Sequence, residues 1–137
     1  MPNFSTRVMR PEDWVHVRYF TAKEFVKPHL MGYEFIMWLD DVRHAAGVPM
    51  LISSSVRTPE HNEAVGGATD SAHLDVPCNA VDIRKNPKSK TWNYDTFRIV
   101  HTAMLAGCVR LGVYADDSIH LDRSEHKRPS PRLWRRV

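Results

Sequence analysis

The spacing of apolar residues changes along this chain, and each change predicts an element. Across residues 30–46, Ile36, Leu39, Val42 and Ala46 recur at helical spacing, while Asp40, Asp41 and Arg43 fall on the side expected to meet water. Gly47 follows as a stop, because glycine accepts the left-handed conformation past a last turn. A second helix is predicted over 91–106, with Phe97, Val100, His101, Met104 and Leu105 on overlapping faces and Gly107 as its stop. Elsewhere the period shortens: 49–53, 80–83, 109–114 and 118–122 read as strands, the last two joined by an Ala115-Asp116-Asp117 turn. In 80–83, Val81 and Ile83 share one face and Ala80 and Asp82 the other.

Shorter signals fill in the rest. Thr21 and Glu24 form a capping box flanked by Phe20 and Phe25, and residues 59–65 suit one helical turn. Residues 1–19 show no period and read as an arm packed along the domain. The expected architecture is α+β, a single small domain with an antiparallel sheet and helices on one face. Its expected boundaries are an arm at 1–19, the domain at 20–123 and a basic tail at 124–137.

Composition narrows the class. A chain of 137 residues, 42% of them hydrophobic, is long enough to bury one core without disulfide staples. Its two cysteines, Cys78 and Cys108, are expected as free thiols. No run approaches the roughly 20 apolar residues that span a bilayer, and Met1-Pro2-Asn3-Phe4-Ser5 is not followed by the apolar core of a secretory signal. A soluble protein is expected, one that needs another exit if its substrate lies outside a membrane. The net charge of +3 owes much to residues 126–136. Such a tail can approach nucleic acid or an anionic envelope, but Pro129 and Pro131 argue against a continuous binding helix.

Candidate chemistry concentrates in two stretches. His73 precedes a Pro-containing loop that leads to Asp82 in a strand, and His120 lies in a later strand after Asp116 and Asp117. Two histidines and an aspartate suffice to hold a catalytic zinc ion with one position left for water. Read from residues alone, the same side chains also suit hydrogen bonds within turns and an ion pair. Other signatures fail: His61-Asn62-Glu63-Ala64-Val65 lacks the second histidine of a zincin, Ser53, Ser54 and Ser55 lack a nucleophile elbow, and Gly66-Gly67 lacks a phosphate-loop context. His101 reads as a helix residue and not as a ligand.

Taken in order, Ser53-Ser54-Ser55-Val56-Arg57-Thr58-Pro59-Glu60-His61-Asn62, Val65-Gly66-Gly67-Ala68, Ser71-Ala72-His73-Leu74 and Ala80-Val81-Asp82-Ile83 resemble the M15-type zinc D-Ala-D-Ala carboxypeptidases and related peptidoglycan peptidases, phage endolysins included. The likeness spans roughly residues 20–123. It implies a similar fold, zinc (Zn2+) held by His73, Asp82 and His120, and a general base at Asp117 with Asp116 as its rival. It further implies that Arg57 contacts the substrate or the developing oxyanion, and that Ser71 binds substrate or orients the metal loop. Asp122 shares the His120 face and is expected to support it. The implied activity is hydrolysis of a peptidoglycan stem peptide or cross-link, by a D,D-carboxypeptidase or a muralytic endopeptidase, with a phage-associated enzyme the favoured setting. One departure stands out. The His73–Asp82 spacing is two residues longer than the family's, with Cys78 where a glycine would fall, so Asp75 and Cys78 remain substitute ligands. Competing readings are a catalytically altered metal-binding phage structural protein, a nonpeptidase zinc hydrolase and a nucleic-acid binder acting through the basic tail.

Overall fold

Strand alternation decides how this molecule is layered. In the computed structural model, which describes residues 2–135, the strands are β1 (Leu51–Ser54), β2 (Ala80–Arg84), β3 (Arg110–Val113), β4 (Ile119–Asp122) and β5 (Arg132–Arg135). They form one sheet in the order β1-β2-β4-β3-β5. The first four pair antiparallel as expected; β5 adds in parallel to β3, so the sheet is mixed. That fifth strand comes from the stretch expected to be a basic tail, whose Arg136 lies outside the described residues.

Val81, Ile83, Leu111, Ile119 and Leu121 point to one face and are buried in a single core. Helix α1 (Tyr33–Ala46) contributes Phe35, Ile36, Leu39, Val42 and Ala46 to that core, and Gly47 ends it at φ 71° with its N–H on the Arg43 carbonyl. Asp40 was expected to face water. It is buried, because its carboxylate accepts from the Arg18 Nε and from the backbone N–H groups of Arg18 and Tyr19, tying the N-terminal arm to α1.

Helix α3 (Trp92–Leu105) lies beside α1 and buries Trp92, Asp95, Ile99, Thr102 and Ala103. Of the residues that gave this helix its period, Phe97, Met104 and Leu105 are exposed, whereas Val100 packs against the core. Trp92 fixes the rotation, since its Nε1 donates to the Asp117 carbonyl while the helix buries the small Ala103. The short α2 (Pro59–Ala64) is capped by Thr58, whose hydroxyl accepts from the His61 N–H. Thr21 caps a 3-10 turn at Ala22–Glu24 through the expected capping box. No helix among the described residues is long and apolar enough to cross a membrane.

Candidate metal centre

The residues that alternate with the core face build the site. Register places Asp82 of β2 opposite His120 of β4, His120 opposite Gly112 of β3, and Gly112 opposite Trp134 of β5. Residues directly opposite on neighbouring strands project to the same face, so one row carries an acid, an imidazole and an indole across the sheet. Gly112 supplies the gap in this row: a Cβ there would lie 2.4 Å from the Trp134 Nε1. The indole thus reaches over the strand to sit 5.1 Å, ring centre to ring centre, from the His120 imidazole.

His73 arrives from a 3-10 turn, Ala72–Leu74, above this row. Ser71 caps the turn by accepting from the His73 N–H, and the Arg57 N–H donates to the His73 carbonyl at 2.8 Å. The His73 Nδ1 lies 2.6 Å from the Ser55 carbonyl, which only accepts, so this nitrogen carries the proton. The Nε2 is left with a lone pair. It is buried, makes no hydrogen bond and lies 3.4 Å from the Asp82 Oδ1.

Asp82 and His120 are held in the same manner, one atom anchored and another facing inward. Asp82 Oδ2 accepts from Arg57 at 3.1 Å, while Oδ1 faces the His120 Nδ1 at 2.9 Å. The other nitrogen of His120, Nε2, lies 2.7 Å from the Asp122 Oδ2. Asp122 Oδ1 in turn accepts from Arg110 Nε, from the Ser124 N–H and from the Ser124 hydroxyl. One potential ligand atom from each of His73, Asp82 and His120 lies within 4.8 Å of the others.

Charge within the cluster follows from these contacts. Burial opposes ionisation of Asp82, but the hydrogen bond from His120 and the charge of that imidazole outweigh it and hold the carboxyl well below its ordinary range. Asp122 is likewise raised by burial and brought down, to about 2, chiefly by His120. Burial lowers the His120 pKa, and Asp122 and Asp82 more than offset this, so it rises. Without an ion, each His120 ring nitrogen faces a carboxylate oxygen, an arrangement that favours the protonated imidazole.

The residues fit a divalent metal. The orphaned His73 Nε2 is an unused donor in a buried place, and the outward atom of each candidate ligand already has a protein partner. Anchored outward atoms are the pattern that orients metal ligands and sets their tautomers. Before the site a cavity of about 940 Å³ opens, within the range of sites that take small peptides or drug-sized ligands.

A family model described as Peptidase M15 matches residues 8–122. The chain belongs to the Peptidase M15 family. No curated protein matches it. Family membership makes the chain a metallopeptidase in kind, and the His-Asp-His cluster is where an M15 chain of this fold can hold its metal.

The remaining expected site residues of this M15 chain fall out differently. Asp117 does not line the cavity; it adopts φ 66°, is exposed, and directs its carboxylate towards Lys85 at 3.5 Å. Asp116 does line it. The Asp116 Oδ1 accepts from the Ser118 N–H and hydroxyl, and the hydroxyl bond lowers its pKa, keeping it ionised. Arg57 lines the cavity but is committed to Ser54, Asn62 and Asp82. The Ser71 hydroxyl is spent on the His73 N–H.

Neither substitute ligand joins the cluster. Both Asp75 oxygens accept from Arg128, and Cys78 is a buried free thiol that burial pushes up to about 12. Cys108 is free as well. His101 stacks on Phe97 at the surface of α3, away from the cluster. Residues the sequence reading passed over are Arg110, Ser124, Arg128 and Trp134. Arg110 had a visible signal, because it shares a strand face with Gly112 and so with His120.

Proposed function

We propose that this chain is a zinc-dependent peptidase that hydrolyses a peptide bond in bacterial peptidoglycan. The observation that carries the reading is the buried His73 Nε2 lone pair, aimed at Asp82 and His120 while the outward atom of every candidate ligand is taken. When bound, zinc supplies a Lewis acid that polarises the scissile carbonyl and makes water acidic enough to attack near neutral pH. His73, Asp82 and His120 hold it; Ser55, Arg57 and Asp122 keep those three oriented.

Asp116 is the general base in this reading. Ser118 fixes its Oδ1, and its Oδ2 has no hydrogen bond among the described residues. That oxygen takes a proton from the attacking water as the C–O bond forms, and returns it to the amine nitrogen as the C–N bond breaks. Arg57, occupied by Asp82, steadies the ligand and is not a primary contact for substrate. The peptidoglycan assignment rests on the family and on charge. Arg132 and Arg135 line the cavity without an ion pair among the described residues, suiting stem peptides that carry free carboxylates. The exit of Asp117 towards Lys85 favours a second reading, metal binding without turnover, should Asp116 prove inert.

The test is digestion of purified murein by the zinc-loaded protein, with mass analysis of the products to identify the bond cut. Asp116→Asn is expected to lower kcat by about 10²- to 10⁴-fold with zinc still bound, and Asp117→Asn to leave it within a few-fold. No product from any stem peptide or cross-linked murein at full zinc occupancy would defeat the peptidase reading.

A further inference from the structure

Arg128 lies beyond the stretch that the family model matches, in a segment whose sequence reads as a solvated basic end. Its side chain is nevertheless only 4% exposed. The guanidinium is saturated with acceptors: Nε donates to the Asp70 carbonyl at 3.0 Å, one terminal nitrogen to Asp75 Oδ2 at 2.6 Å, and the other to Asp75 Oδ1, Asp70 Oδ1 and the Ser71 carbonyl at 3.1, 3.1 and 3.2 Å. Every one of these acceptors belongs to residues 70–75, on both sides of His73. A planar fork that grips a carboxylate with two bonds and two backbone carbonyls with others fixes orientation as well as distance.

The gripped loop is the one that departs from the family spacing. A longer path from His73 to Asp82 gives the imidazole more ways to be misplaced, and local ties alone have to resist them. Ser71 and Arg57 hold the His73 backbone, and Ser55 holds its ring. Residues 74–75, where the extra length begins, are held by the turn's own backbone bonds to the Ser71 and Ala72 carbonyls and, through the Asp75 carboxylate, by Lys127 and by the two-bonded grip of Arg128. The adjacent residue reaches the other half of the site, because the Pro129 carbonyl accepts from Arg110, whose Nε holds Asp122 behind His120. Two consecutive residues thus connect the supports of both histidines.

We propose that Arg128 is a positioning residue that locks the lengthened His73 loop in the conformation that binds metal. This rests on the zinc reading above. The loss is expected to appear in metal affinity and kcat more than in substrate capture, since the guanidinium, although it borders the cavity, is engaged by Asp70, Ser71 and Asp75.

The experiment measures zinc affinity by chelator competition on the full chain for the parent, Arg128→Ala, Arg128→Lys and Lys127→Ala. Circular dichroism of each metal-free protein and kcat and KM on murein accompany it. Arg128→Ala is expected to weaken zinc binding about 10-fold or more with the fold retained, and to lower kcat while KM holds. Arg128→Lys, with the charge but no fork, should recover part of the loss. Lys127→Ala, which removes one contact of a half-exposed lysine and leaves the two-bonded Arg128 grip on Asp75, should change affinity by less than about 2-fold. If Arg128→Ala does not fold, Asp75→Asn removes the same grip from the loop side and is judged by the same affinity criterion. Parent-like zinc affinity in the folded variant overturns the proposal. Failure of the parent itself to bind zinc overturns the metal reading and this inference together, a distinguishable result.

Discussion

Strands β2 and β4 bury both of their faces, and the two faces are unlike in every other respect. On one, Val81, Ile83, Ile119 and Leu121 are fully buried among apolar neighbours; on the other, Asp82, His120 and Asp122 are nearly as buried and carry charge. Apolar burial is non-directional, so the first face depends on volume. The second depends on direction, because each buried polar atom must meet a partner or pay the full cost of desolvation. A sheet can therefore take its stability from one side and its chemistry from the other, with adjacent residues in the chain separating the two.

That division can be broken from either side. The largest effect is expected from His120→Ala, which removes a ligand: zinc affinity should fall beyond the roughly 100-fold that loss of an outer partner costs, with murein digestion abolished and the circular dichroism spectrum kept. A neighbouring change, Leu121→Ala, should do the reverse. It creates a cavity in the core and is expected to lower unfolding free energy by about 2–5 kcal/mol, measured in urea, with zinc affinity of the folded fraction unaltered. A variant of either kind that damages both properties equally would show that the faces are not separable.

The smallest effect sharpens the comparison through pH. In the metal-free protein the raised His120 contributes stability below its unfolded value of about 6.5 and loses it as pH rises through the folded value. Asp122, depressed to about 2, contributes above its unfolded value of about 3.9 and loses that as pH falls towards 2. Metal-free stability should accordingly peak in the mildly acidic range and decline on both sides, as thermal midpoints across pH would show. With zinc bound the alkaline decline should vanish, since metal requires the neutral imidazole that higher pH provides. A midpoint in metal-free protein that keeps climbing above neutral pH would contradict the charge assignment.

What could be read from sequence was what repeats locally. Strand alternation placed Asp82 opposite in facing to Val81 and Ile83, and glycine and capping signals bounded α1 and the turn at Thr21. Less legible were features set by distant parts of the chain. Asp40 looks like a solvent residue until Arg18 folds over it. The apolar Phe97, Met104 and Leu105 are spaced as a core face would be, yet α3 is rotated by what Trp92 and Ile99 bury. Between Asp116 and Asp117 the family resemblance favoured the latter, whereas a left-handed backbone at Asp117 leaves its carboxylate towards Lys85 and it is Asp116 that lines the cavity. Residues 124–135 held the least visible information. Their prolines and arginines resemble a free end, and only the acceptors at Asp70 and Asp75 and the space over β3 reveal otherwise.

Gly112 gives that space a wider meaning. The last strand is joined to the imidazole by a vacancy one methyl group wide: fill it, and the indole must lift, taking with it the wall it forms beside His120. The shape of this candidate metal face is thus governed in part by an atom the chain leaves out, at a position where no side chain exists to be recognised as functional.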